Sequence, residues 1–234
     1  MIDVEKPFAA PPLGPQTSLT LAQAARNFFG KSSPRIILLA VLVPLVLRVM
    51  VGAFELRELA IVPVVVIVWA FQEWFAHKHL LHIKPVKLFG REFDLYFARE
   101  HRRHHRTPWS FDGALLPLRV LLAAIPVNAA LWLLLSPTLG FALTGIATYS
   151  AASLVYEWTH SLTHTPYPPR GALYRRICKA HRLHHFKNEG YWYGFTLPWV
   201  DDLFHTAPDP STVPLSPTCR TLGVEAESSR AFVL

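Results

Sequence analysis

Four long apolar runs constrain this chain more than any other feature. Ile36 to Phe54, Leu59 to Phe75, Leu115 to Leu135 and Leu139 to Trp158 are each long enough to cross about 30 Å of hydrocarbon as a helix. Backbone polar groups in such a layer must be satisfied within their own element, so helices are the form these runs take. With 51% hydrophobic residues and only 17% charged, the composition excludes an ordinary soluble domain. The polar break Glu55 to Glu58 makes a hairpin of the first two runs, and Ser136-Pro137-Thr138 turns between the last two. Pro44, Pro117 and Pro126 lie inside runs, where membrane helices tolerate kinks. Arg48 and Asn128 are the main polar intrusions, and Arg48 must snorkel or face other helices.

Four crossings bring the ends of the second and fourth helices back to the side of the N-terminus. The polar segments 76–114 and 159–234 then share one membrane face, and each holds six of the twelve histidines. Of the 23 lysines and arginines, only Arg48 and Arg57 fall within or between the first two runs, and none lies in the turn between the last two. By the positive-inside rule the histidine face is cytoplasmic. The same rule accounts for a net charge of +7 without nucleic acid, for which no recognition motif is present. The expected fold is therefore all-α and integral to the membrane, with four transmembrane helices under a cytoplasmic, histidine-rich helical cap.

The flanks are less informative. Pro7, Pro11, Pro12 and Pro15 interrupt any signal peptide, so the N-terminus is expected to stay in the cytoplasm, with residues 1 to 16 disordered. A short helix capped by Thr17 or Ser18 and ended by Gly30 either lies in the interface or packs on the bundle. Residues 211–234 are expected to form a disordered tail. Cys178 and Cys219 follow no disulfide or metal spacing.

The histidines carry the chemistry. His101-Arg102-Arg103-His104-His105 and His181-Arg182-Leu183-His184-His185 share an H-x-x-H-H spacing. Positions i, i+3 and i+4 lie on one helix face, so each stretch is expected to aim three imidazoles at one point. His160 and His164, at i and i+4, share a face too, whereas His77 and His82, at i and i+5, call for a break or a π-bulge. The halves echo each other: Glu73-Trp74, His77 and His82 precede the first stretch as Glu157-Trp158, His160 and His164 precede the second.

Neutral imidazole suits iron, zinc, copper and nickel. Ten nitrogens are too many for one ion, but shared by two they give five each and leave an octahedral ion one open position for dioxygen or water. Each ligating ring usually donates its second N–H to a carboxylate or carbonyl, and Glu73, Glu100, Glu157, Asp201 and Asp202 are near in sequence. His79 falls on another helix face from His77, and His205 is either a surface or a supporting residue. Phe186, Tyr191, Trp192, Tyr193, Phe195 and Trp199 form either an apolar channel or an interfacial belt.

H-x4-H, H-x-x-H-H, H-x-x-x-H and H-x-x-H-H, interleaved with four apolar spans, resemble the fatty acid hydroxylase / sterol desaturase superfamily of membrane dimetal oxygenases. Over residues 35–210, read as the membrane hydroxylase domain, His82-Ile83-Lys84-Pro85, Lys179-Ala180-His181, Gly194-Phe195, Trp199-Val200-Asp201 and Phe204-His205-Thr206 are most similar to the fatty acid 2-hydroxylase branch. The resemblance implies that His77, His82, His101, His104, His105, His160, His164, His181, His184 and His185 hold two metal ions. Iron would be the working metal, although zinc can occupy such sites. It further implies insertion of one oxygen from O2 into a C–H bond of a lipid, here 2-hydroxylation of a fatty acyl chain. Sterol oxidation or desaturation and carotenoid hydroxylation are the alternatives within that chemistry, and a membrane metal transporter or metal-binding protein is a distant one. No His-Pro-Gly-Gly stretch of a fused cytochrome b5 occurs, so a separate electron donor is expected, cytochrome b5-like or a ferredoxin with its reductase. Arg102 and Arg103 are candidates to attract its acidic surface or a lipid headgroup. The membrane would be the endoplasmic reticulum or a bacterial inner membrane.

Overall fold

The computed structural model describes residues 18–224 and the short strand Phe232–Val233. The expected N-terminal disorder, Thr17 as a cap and the last part of the expected C-terminal tail lie outside the described residues. The first helix, α1 (Leu21–Phe29), is capped by Thr20, two or three residues later than expected; its side chain accepts from Gln23 N while Gln23 reaches back to Thr20 N. Ala24 and Phe28, four apart, are buried, and the Phe28 ring meets Trp158 edge to face. The amphipathic pattern is thus used for packing on the bundle.

Four helical stretches are long and apolar enough to cross a membrane: Ser32–Val51, Leu56–Leu81, Asp112–Leu135 and Leu139–Thr163. The first is α2 (Ser32–Val51), with Pro44 inside it. Leu39, Val43, Val46 and Met50 are more than half exposed, as befits a helix whose solvent is hydrocarbon. Arg48 instead turns inward. Its guanidinium grips Glu58 with two bonds of 2.7 and 2.6 Å and donates to Gly52 O at 2.7 Å. Thr144 Oγ1 donates to Glu58 as well. Gly140 makes room, since a Cβ there would lie 3.3 Å from both Arg48 Nε and Glu58 Oε1.

The second crossing combines a 3-10 turn (Leu56–Ala60), α3 (Ile61–Phe75) and a π-helical turn (Ala76–Leu81). The widened turn answers the i, i+5 spacing, since it brings His77 and His82 edge to face with ring centroids 5.2 Å apart. Strands β1 (Val86–Leu88) and β2 (Arg91–Asp94) form a short antiparallel hairpin, a small addition to the helical fold expected and found. Phe89 and Gly90 both have positive φ, the geometry of a two-residue hairpin turn. Strand β3 (Phe232–Val233) pairs parallel to β2.

Helix α4 (Tyr96–Arg106) carries the first H-x-x-H-H stretch. Helix α5 (Leu118–Leu135) starts after Pro117, not at Leu115, because Pro117 holds an extended ψ of 136° and serves as the N-cap. Helix α6 (Leu139–Thr163) runs five residues past the expected Trp158 and so includes His160. It is the bundle's central element, with Gly140, Ala142, Gly145, Ala147 and Ser150 allowing close approach of its neighbours. Helix α7 (Ala172–Phe186) carries the second H-x-x-H-H stretch, and α8 (Trp199–Leu203) closes the cap. Residues 211–224, expected as part of a disordered tail, instead fold against the cap, burying Val213, Cys219 and Leu222.

Candidate metal centre

All ten patterned histidines converge at the cap end of the bundle, in two pockets. His77, His82, His101, His105 and His184 form one; His104, His160, His164, His181 and His185 form the other. Within each pocket one nitrogen from every ring lies within 4.8 Å of the rest, an arrangement that could hold one ion. The expectation that each H-x-x-H-H stretch aims three rings at one point is corrected. Successive helical residues turn by about 100°, so i+3 and i+4 fall on opposite flanks of the line through i. His101 and His105 therefore enter the first pocket while His104 enters the second, and on α7 His181 and His185 enter the second while His184 enters the first. The stacked rings of His105 and His185, 4.2 Å apart, join the two pockets.

Backbone carbonyls set the ring orientations. His77 Nδ1 donates to Tyr193 O at 2.8 Å, His105 Nδ1 to Cys219 O at 2.9 Å, His160 Nδ1 to Ala114 O at 2.8 Å and His184 Nδ1 to Tyr191 O at 2.7 Å. A ring that donates from Nδ1 keeps a lone pair at Nε2. The Nε2 lone pairs of His105 and His184 face each other at 3.2 Å, and the Nε2 atoms of His101 and His105, at 3.2 Å, and of His164 and His181, at 2.7 Å, converge in the same way. The Nε2 atoms of His77 and His82 and both nitrogens of His104 and His185 are buried without a partner. Opposed, buried lone pairs are costly unless a cation sits between them, so the donor set fits metal.

Electrostatics points the same way. Burial is the first cause that holds His82, His101, His104, His105, His164, His181, His184 and His185 below the usual histidine range, with His105 at about 3. Neutral imidazole is the ligating form.

The candidate carboxylates reach no imidazole. Glu73 accepts from Thr196 N at 2.7 Å, Trp69 Nε1 at 3.1 Å, Phe195 N and Thr196 Oγ1. Asp201 accepts from Tyr193 N at 3.0 Å, Gly194 N at 2.7 Å and Thr206 Oγ1 at 2.5 Å. Gly194 fits this close approach, since a Cβ there would stand 3.0 Å from Asp201 Oδ2. Together Glu73 and Asp201 pin the 193–196 segment, whose first carbonyl orients His77. Glu157 accepts from Ser33 Oγ and from Leu116 N at 3.0 Å, tying the start of α2 to the approach to α5. Glu100 pairs with Arg103 and Asp202 with Arg176 at the surface.

Other expectations resolve as clearly. His79 is exposed and packs its ring on Trp74 and Phe75, and His205 is exposed at φ 55°, so neither joins a pocket. Arg102 is buried on Asp94 and Ile83 O, which removes it as a surface attractor, whereas Arg103 remains exposed. Tyr193 and Phe195 form neither channel nor belt: Tyr193 packs on His77, His82 and His184, and Phe195 on His160 and His181. Sequence reasoning missed Tyr156, whose ring stacks on His160 and borders a cavity of about 790 Å³. This cavity opens beside His101, His104 and His160, runs along Leu116, Leu118 and Val120, and has the Lys31–Asp112 ion pair at its edge.

The sequence model of the family described as fatty acid hydroxylase matches residues 62–206, from α3 to Thr206, and so includes all ten pocket histidines. The chain is similar to a fatty acid 2-hydroxylase of Rattus norvegicus, 29% identical over 142 residues, covering 60% of this chain and 37% of that one. A fatty acid 2-hydroxylase of Homo sapiens is also 29% identical over 142 residues, covering 59% and 37%. A dihydroceramide fatty acyl 2-hydroxylase of Arabidopsis thaliana is 28% identical over 146 residues, covering 61% and 58%. The match thus spans little more than a third of the two mammalian relatives. Among solved structures, full-length scs7p, of which only the hydroxylase domain is visible, superposes with a TM-score of 0.61 at 23% identity, covering 88% of this chain and 73% of that one. At that identity the likeness speaks for the fold.

Proposed function

The chain belongs to the fatty acid hydroxylase family, and from that premise we propose that it is a membrane monooxygenase that hydroxylates a fatty acyl chain at C2. The carrying observation is the pair of five-nitrogen pockets beside a cavity with an apolar wall. His77, His82, His101, His105 and His184 would hold one metal ion, and His104, His160, His164, His181 and His185 the other. Two redox-active ions, iron in the working enzyme, would supply dioxygen activation. The overall reaction consumes the C–H substrate, O2, two electrons and two protons, and yields the C–OH product and water.

The chain's own residues do the rest. Burial keeps the imidazoles neutral, and the backbone carbonyls fix which nitrogen faces the ions. Tyr193 and Phe195 exclude water from the pockets, and Leu116, Leu118 and Val120 offer an apolar wall to the first carbons of a tail lying in hydrocarbon. A site at the cap end of the bundle suits a reaction near the carboxyl end of a lipid. By its charge distribution that end is cytoplasmic, and a separate carrier supplies the electrons. Exposed Arg175, Lys179 and Arg182, on the face of α7 turned away from the imidazoles, favour an acidic carrier. The test is lipid analysis of cells expressing the protein. A 2-hydroxylated acyl lipid should appear, and it should vanish with His184→Ala. Unchanged lipids with altered metal uptake would point to metal transport instead.

A further inference from the structure

The segment from Val213 to Val224 lies beyond the last residue of the family match, Thr206, yet it joins every element that bears an H-x-x-H-H stretch. At the end of α7, Lys187 O accepts from Ser216 N at 2.7 Å, Asn188 Nδ2 donates to Pro214 O at 3.2 Å, and Glu189 binds Thr218 Oγ1. On α4, His105 Nδ1 donates to Cys219 O at 2.9 Å. Between the two helices the Arg220 guanidinium lies over Trp109 at 4.8 Å and Phe186 at 5.0 Å, with Nη1 3.5 Å from His105 O. Val213, Cys219 and Leu222 are buried beneath it. The helices themselves meet ring to ring, at His105 and His184 and at His105 and His185.

We propose that this segment is a positioning strap for the metal centre: the Cys219 carbonyl fixes the ring of His105, and Arg220 clamps the strap across α4 and α7. Beside Tyr191, Tyr193 and Ala114, whose carbonyls also hold pocket histidines, Cys219 is supplied from beyond residue 206. The inference rests on the two-metal reading. His105 belongs to the pocket of His77, His82, His101 and His184, so loosening the strap should act on that pocket and spare the other.

Cobalt(II) titration of purified full-length protein in detergent, read by ligand-field absorption and by metal content, distinguishes the outcomes. The unaltered protein should take up two ions per chain. Arg220→Ala, and independently Leu222→Asp, should weaken one of the two by roughly 10–100-fold, the usual cost of losing a group that orients a ligand, and leave the second unchanged. Arg220→Lys, which keeps a cation over the two rings, should restore most of the loss. Two sites of unaltered affinity in both variants would overturn the strap, as would equal weakening of both, which marks general loosening of the cap. If the unaltered protein binds no cobalt, the two-metal reading itself fails.

Discussion

At the scale of single residues, the ten imidazoles are interchangeable in chemistry but not in direction. His104 is flanked by His105, yet the two enter different pockets. Removing His104 should therefore deplete one ion and removing His184 the other. Metal analysis of His104→Ala and His184→Ala should give about one ion each where the unaltered protein holds about two, and the double variant close to none. If the two single losses fell on the same ion, the double variant would keep one, and the partition would be wrong. The histidines were legible because their spacing is helical, and the split between pockets was not, because it depends on how α4 and α7 rotate against their neighbours. The orienting partners were also hidden: a carbonyl such as Tyr193 O or Cys219 O has no letter of its own, whereas the carboxylates of Glu73, Glu100, Glu157, Asp201 and Asp202 do. Burial of the rings also sets a pH dependence in the metal-free protein. Each lowered histidine is neutral in the fold, while in the unfolded chain it takes up a proton below about 6.5. The unfolded state then binds more protons, so stability is full above about 6.5 and is lost as pH falls toward the lowered values, about 3 for His105. Thermal melts of chelator-treated protein should show Tm dropping steadily from about pH 7 to 5; a flat profile would contradict burial of the cluster.

At the scale of elements, α2 and the second crossing are stapled at the end of the bundle remote from the histidines. Arg48 and Glu58 are both nearly inaccessible, and the pair is completed by Thr144 and by the space above Gly140. Removing one partner leaves the other charge without its counter-charge inside the bundle, which is destabilising, whereas replacing both with apolar groups is often neutral. Glu58→Leu should thus lower the melting temperature in detergent sharply, and Arg48→Leu with Glu58→Leu should recover most of it. Equal destabilisation by the single and double variants would show that the ion pair is not the cause. Arg48 stood out in the sequence as a charge in an apolar run, but its partner lay hidden in what reads as an ordinary polar turn. Element boundaries show the same limit. The π turn was foreshadowed by the i, i+5 pair His77 and His82, while α5 starts late because Pro117 caps it and α6 runs on because Thr159 to Thr163 continue the helix against the cap. The β1–β2 hairpin escaped notice since Phe89-Gly90 lacks the Asn-Gly or Asp-Gly signature of such turns.

At the scale of the whole molecule, the spans put the pocket histidines at one end, where the cap covers them except on the side of the cavity beside His101, His104 and His160. His105, His184 and His185 are fully buried, so under the proposed function a protein carrier would deliver electrons through the cap. Helix α7 offers a short path. Its inner face carries His181, His184 and His185, and one helix width away, about 10 Å, its outer face carries Arg175, Lys179 and Arg182. That basic row is the proposed docking face, since Arg102, one of the two arginines expected to attract a partner, is engaged with Asp94 in the interior. Charges on an exposed face act mainly on the rate and salt dependence of encounter, with little effect on what lies beneath. Replacing Arg175, Lys179 and Arg182 together by Glu should raise the KM for the reduced carrier at least about tenfold at low ionic strength. The difference from the unaltered protein should shrink as salt screens the surface, and metal content should stay at about two ions per chain. A carrier KM that does not move would place docking elsewhere on the cap. Lost metal would mean that α7 had been disturbed as a whole, so the two measurements separate an encounter surface from a structural one.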